Sequence, residues 1–162
     1  MSVNKHRPHV LVLPEDDADR QLANGFHLAL GSPRQIQVLP EIGGWGKVLD
    51  RFNSDHVRDM SGLPHRSVVL VIDFDGDLSR LEKAKESIPV ELADRVFVIG
   101  VLSEPEVLKA DLCCSLEAIG VAMASDCREG TSTTWGHPLL QHNAGEIERL
   151  HRRVRPVLFE SV

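Results

Sequence analysis

Apolar residues fall along this chain in short runs separated by charged turns. His9-Val-Leu-Val-Leu13 is such a run, as expected of a strand buried on both faces of a parallel sheet. The acidic cluster Glu15-Asp16-Asp17 follows it. Leu22, Phe26, Leu28 and Leu30 then fall on about one side of a helix that carries acids at its N-terminus and Gly31 past its end. Gln35–Leu39 predicts a second strand, followed by Pro40, the turn Gly43-Gly44 and a short helix through Val48, Leu49 and Phe52. Asn53–Arg66 is polar and reads as an excursion. Ser67–Ile72 is the strongest strand signal in the chain, and it runs straight into Asp73-Phe-Asp-Gly-Asp77. A charged helix over Leu78–Ser87 is stopped by Pro89, and Arg95–Val101 predicts another strand, ending at Ser103-Glu104-Pro105-Glu106. Beyond it, Val107–Leu116 and Leu116–Cys127 predict helices, Arg128–His137 a Gly/Thr-rich loop, and Gly145–Val157 a terminal helix up to Pro156.

Strands alternating with helices over short links predict the α/β class: a mostly parallel, Rossmann-like sheet with helices on both faces and right-handed crossovers. With 162 residues, 42% of them hydrophobic, the chain suits one domain spanning residues 1–162. No run approaches the roughly 18 apolar residues of a membrane span, and the N-terminal residues lack the apolar region of a secretory signal. A soluble, cytoplasmic protein without a membrane partner is expected. The sequence holds no internal repeat and no low-complexity segment.

Composition narrows the chemistry. Cys113, Cys114 and Cys127 are odd in number and lack CxxC spacing, which points to thiols packed in a reducing interior instead of a disulfide framework or a zinc site. A net charge of −6 argues against a general nucleic-acid coat protein but agrees with carboxylates gathered around metal. Basic residues cluster near both ends, as Lys5-His6-Arg7 and as Arg149, His151, Arg152, Arg153 and Arg155; each cluster reads either as a solvated helix face or as a phosphate-facing patch. The chain has no tyrosine, so a tyrosyl nucleophile is excluded.

In an open parallel sheet, ligands bind beyond the carboxyl ends of the strands, where loops converge and helix N-termini aim their amides inward. All three acidic clusters fall at such ends. Taken singly, each has a structural reading: Asp16 and Asp17 as caps of the first helix, Asp77 as cap of another, Glu104 in a helical first turn. Taken together, Glu15, Asp73 and Asp75 predict a site for a divalent cation, since gathered carboxylates repel and hard oxygen ligands select Mg²⁺, Mn²⁺ or Ca²⁺ over zinc. Positions two apart on an extended chain share a side, which lets Asp73 and Asp75 address one ion.

The segments Val12-Leu-Pro-Glu15-Asp-Asp-Ala-Asp19 and Val71-Ile-Asp73-Phe-Asp75-Gly76 resemble the Toprim domain of topoisomerases, bacterial primases, small nucleases and OLD-type nucleases. Glu15 matches the family's glutamate, Asp19 an acid often found four residues later, and Asp73 and Asp75 its Asp-x-Asp pair. Gly43-Gly44 and Lys47 are similar to a segment of small stand-alone Toprim proteins, and Glu104 and Glu106 stand where OLD-type nucleases supply further acidic ligands. Asp16 replaces the glycine that usually follows the glutamate. The resemblance implies a Toprim-like core over residues 8–112 with a helical extension over 113–162. Topoisomerase chemistry is excluded by the missing tyrosine, and the length is short for a primase. It therefore implies a nuclease that hydrolyses phosphodiesters of nucleic acid, DNA more than RNA. Mg²⁺ or Mn²⁺ would be held by Glu15, Asp73 and Asp75 at the catalytic centre, with Asp19, Glu104 or Glu106 completing a second site. Lys47 or Lys109 is a candidate for neutralising developing charge.

His137 and His142 are five apart in Trp135-Gly-His137-Pro-Leu-Leu-Gln-His142-Asn143, a poor spacing for two ligands on one helix face; a packed loop or a substrate-contacting loop fits better. Trp45 and Trp135 read as core or interface anchors, or as platforms for bases. Two further functional readings stand beside the nuclease. One is a receiver-like signalling domain with Asp16-Asp17 as its acidic pair and Asp73 as phosphoacceptor. The other is a non-catalytic Toprim-like subunit that docks an ATPase or nuclease partner, or pairs as a homodimer.

Overall fold

The computed structural model describes residues 3–30 and 33–159. Four strands, β1 (His9–Pro14), β2 (Ile36–Val38), β3 (Arg66–Val71) and β4 (Val96–Ile99), form one sheet in the order β2-β1-β3-β4, with every pairing parallel. The apolar runs divide between its two faces by simple alternation. Val10, Val12, Val69, Val71, Phe97 and Val101 point to one side; Leu11, Leu13, Val68, Leu70, Ile72, Val96 and Val98 point to the other.

The first face is covered by α1 (Asp17–Leu28), α5 (Pro105–Leu112), α6 (Leu116–Glu129), α7 (Ala144–Arg153) and α8 (Arg155–Phe159), through Leu22, Leu108, Ile119, Met123, Ile147 and Leu150. The second is covered by α2 (Trp45–Arg51), α3 (Val57–Gly62) and α4 (Ser79–Glu86), through Val48, Leu49, Met60 and Ala84. The α/β architecture with helices on both faces is therefore as the hydrophobic pattern predicts. Residues beyond Cys113 belong to the same core, since α6 and α7 pack directly on the first face.

Several local expectations are corrected. Asn53–Arg66 is largely helical: one wide π-turn (Phe52–His56) joins α2 to α3. That turn takes up one extra residue, so Phe52 and Met60 fall on one side despite being eight positions apart, and both are fully buried. Leu28 is exposed at the end of α1, and Gly31, expected just past that end, lies outside the described residues. The terminal helix breaks at Val154. Pro156 sits in the first turn of α8, where its missing N–H costs nothing. Cys113 and Cys114 are exposed, and only Cys127 is packed in the interior.

Two packing devices complete the fold. Helices α1 and α6 cross at Gly25 and Gly120, where a Cβ would stand 2.0 Å from the Glu117 carbonyl oxygen and 2.1 Å from that of Leu22. The outer edge of β4 is closed by side chains in place of another strand. Glu146 accepts from the Val98 amide at 2.9 Å, and Asn143 both accepts from the Gly100 amide (3.1 Å) and donates to its carbonyl (3.0 Å). Under the first face lies a cavity of about 100 Å³ with apolar walls, Val12, Val71, Met123, Leu140, Leu150 and Phe159 among them. Among the described residues, no helix is long and apolar enough to cross a membrane.

Candidate metal centre

In this sheet order the chain leaves β1 toward one edge and β3 toward the other. The gap between their carboxyl ends is thus the topological switch point, where open α/β sheets hold ligands. Glu15 follows β1 directly, and its amide still pairs with the Val71 carbonyl at 2.8 Å. Its carboxylate reaches across the gap to accept from the Asp73 amide at 2.5 Å. Asp16 caps α1, its Oδ1 accepting from the Asp19 amide at 3.0 Å. That cap starts the helix immediately after the strand, which turns Asp19 from the first helical turn into the same gap.

Glu15, Asp19 and Asp73 consequently converge, with one carboxylate oxygen from each lying within 4.8 Å of the others. Glu15 is buried and Asp19 is 0% exposed. Both oxygens of Asp19 and Oδ1 of Asp73 are buried without a hydrogen-bond donor among the described residues. Buried carboxylates in this condition take up either protons or a cation. Burial pushes all three acids above the ordinary carboxylate range. For Asp19 the neighbouring Asp73 charge adds to burial; for Asp73 the charges of Asp16 and Glu15 do so, while the contact with Asp19 works the other way. For Glu15 burial is offset in part by the Asp73 amide. Three converging carboxylates, two of them with orphaned oxygens, form a hard donor set of the kind that fits Mg²⁺ or Mn²⁺.

Other expected ligands stand apart from this group. Asp75 takes a left-handed backbone (φ 51°), so the alternation that would align it with Asp73 is broken, and its side chain is 65% exposed. It faces the Arg80 guanidinium at 3.6 Å instead. Glu104 and Glu106 are exposed at the start of α5 and lie outside the group. Asp77 accepts from the Ser79 amide at 2.9 Å and anchors the start of α4. Lys47 and Lys109 are exposed.

The histidine-containing loop is held by packing. His137 bonds Asp111 at 3.0 Å and accepts from the Leu139 amide at 3.0 Å, while His142 meets Phe74 edge-on with ring centroids 5.0 Å apart. Trp135 is buried and donates to the Met123 carbonyl at 3.2 Å. Sequence reasoning missed Arg80. Its guanidinium donates to the Asp73 carbonyl at 2.9 Å and lies 5.0 Å from the centre of the Trp45 ring, which makes it the cation beside the acidic group. Its only signal in the sequence is a basic residue three positions after Asp77 in a helical first turn. No protein-family model matches the chain, and no curated protein and no solved structure matches it.

Proposed function

We propose that this protein is a divalent-metal-dependent phosphodiester hydrolase of Toprim type acting on nucleic acid, with Mg²⁺ or Mn²⁺ held by Glu15, Asp19 and Asp73. The observation that carries this reading is the set of unpaired, buried oxygens of Asp19 and Asp73 converging with Glu15 at the switch point. Left without a cation, that arrangement costs the fold desolvation and repulsion, so a site of this kind is retained for what it binds. A divalent cation there would supply Lewis acidity toward a phosphodiester.

The chain's own residues have distinct parts. Glu15 is fixed by the Asp73 amide and ties the two strand ends together, so the separation of the ligands is set by the sheet. Asp16 orients Asp19 through the cap. Arg80, pinned by the Asp73 carbonyl and the Trp45 ring, offers positive charge at the rim to an incoming phosphate. Asp75 and the exposed Glu104 and Glu106 are available to water and substrate at the same sheet edge, in place of the ligand roles the resemblance implies for them.

Cleavage of nicked, linear and single-stranded DNA, and of RNA, should be compared with Mg²⁺ or Mn²⁺ for wild type, Asp19→Asn and Asp73→Asn. Loss of activity in both variants is the expected result; equal activity in all three proteins would sink the proposal.

The sheet order favours a second reading, because doubly wound sheets ordered 2-1-3-4 also serve phosphoacceptor domains with an acid at the end of β3. Against it, Oδ1 of Asp73 is buried and faces acidic neighbours. An acid-labile phosphoryl group on Asp73 after exposure to acetyl phosphate would favour that reading over hydrolysis.

A further inference from the structure

The amino edge of the sheet, opposite the acidic group, collects guanidinium groups whose hydrogen-bond partners are neutral. Arg66 donates to the imidazole of His9 at 2.9 Å. Arg95 donates to the carbonyls of Leu63, Arg66 and Met60 at 2.9, 3.2 and 3.1 Å. Arg153 donates to Ser67 Oγ at 2.9 Å and to the Pro64 carbonyl at 3.5 Å. The single charge of Glu146 is shared between Lys85 and Arg149, each at 2.7 Å, which leaves one of the two cations uncompensated. Asp59 and Asp94 are the acids whose charges reach Arg66 and Arg153.

Over this edge opens a groove of about 580 Å³ lined by His65, Asp94, Arg149, Arg152 and Arg153. The three arginines occupy i, i+3 and i+4 of α7 and therefore form a row along one helix face. Arg152 is paired with Glu148, but both side chains are 71% exposed, so that pair exchanges freely with solvent and competing anions. A row of guanidiniums with Arg152 exposed and Arg149 and Arg153 half-buried, over a bed of only partly compensated positive charge, suits a chain of phosphates better than one compact anion. In a protein of net charge −6, such a row makes this edge a place where a polyanion is drawn in against the overall charge.

We infer that the α7 groove is an anchoring site for the phosphodiester backbone of a nucleic acid, separate from the acidic group at the other end of the strands. The identity of the polyanion rests on the proposed nucleic-acid function; the existence of an anion groove does not. Six residues of β1 separate the two edges by about 20 Å, so the anchored segment is distinct from the one presented to the carboxylates.

The test is fluorescence anisotropy in EDTA with labelled single-stranded and duplex DNA, using the intact protein, Arg152→Glu, Arg152→Gln and, as a charge-removing control on an exposed arginine of α2, Arg51→Gln. Wild type and Arg51→Gln should bind alike; equal weakening by Arg51→Gln and Arg152→Gln overturns the inference. Arg152→Glu should weaken binding about tenfold near 0.1 M salt and flatten the dependence of log K on log salt by about one phosphate contact, with Arg152→Gln intermediate. Unchanged binding in both Arg152 variants, whose folding circular dichroism would verify, overturns the inference, as does absence of binding by wild type. Equal competition by polyglutamate and by unlabelled DNA overturns the commitment to nucleic acid. Cleavage by wild type without Arg152-sensitive binding leaves the hydrolase standing and removes the groove; Arg152-sensitive binding without cleavage does the reverse.

Discussion

Asp19 is the residue on which most of the local energetics turn. Its folded-state pKa lies above the unfolded value of about 3.9, so the stability it contributes is complete below that value and is lost as pH rises through the folded pKa. In EDTA, unfolding free energy should therefore decline toward alkaline pH, and Asp19→Asn should flatten the decline and add roughly 1 kcal/mol at pH 8. Urea titrations at several pH values read both effects; an unchanged alkaline slope in the variant would contradict them.

His9 acts in the opposite sense. Arg66 can only donate, so His9 Nε2 accepts and Nδ1 carries the proton that it gives to the Arg7 carbonyl at 2.7 Å. Burial holds its pKa below the ordinary histidine value of about 6.5. The stability tied to its neutral form is present above that value and is lost as pH falls toward and through the folded pKa. His56, His142 and His151 shift in the same direction, also through burial. The urea midpoint should thus drop between pH 7 and pH 5, and less steeply in His9→Gln, whose amide oxygen can still accept from Arg66.

At the scale of elements, the α1–α6 crossing and the edge of β4 are the places where single changes cost most. Gly120→Ala would drive a methyl group into the α1 backbone at Leu22, and the helices must separate; a loss of about 2–3 kcal/mol is expected. Asn143→Ala would strip two hydrogen bonds from Gly100 and reopen the edge of β4, with a loss of about 2–3 kcal/mol and more aggregation at the melting temperature. Chemical denaturation with light scattering measures both.

β1, β3 and β4 were legible because they are buried on both faces, so their apolar runs are long; β2 is only partly buried and left a shorter signal around Gln37. The helical path through residues 53–62 was not, because the π-turn shifts the period of its apolar positions between Phe52 and Met60. In the site, Glu15 and Asp73 were legible from their places after strands, and Asp19 only through the Toprim resemblance, as an acid four residues after Glu15. Asp75 was misplaced because alternation assumes an extended chain, and the backbone leaves that conformation at φ 51°. Arg80 escaped notice because its approach to Asp73 is set by the packing of α4 against Trp45, which no spacing in the sequence encodes.

For the molecule as a whole, the proposed cation at the switch point would be linked to folding. Mn²⁺ at about a hundred times its dissociation constant would add roughly 2.7 kcal/mol and raise the melting temperature by about 5–10 °C in a domain of this size. Differential scanning calorimetry of wild type against Asp19→Asn with and without Mn²⁺ should show the increment in wild type alone.

The void beneath the first face of the sheet makes compression a means of unfolding this protein. A cavity of about 100 Å³ corresponds to roughly 60 mL/mol, within the range of volume changes by which pressure destabilises folded chains. Helices α1, α6, α7 and α8 roof that space, whereas Glu15 and Asp73 are carried by the strand ends. Hydrostatic pressure should therefore loosen the roof, and Asp19 with it, before it parts Glu15 from Asp73, with the Trp135 emission shifting to longer wavelength while the strand ends remain paired.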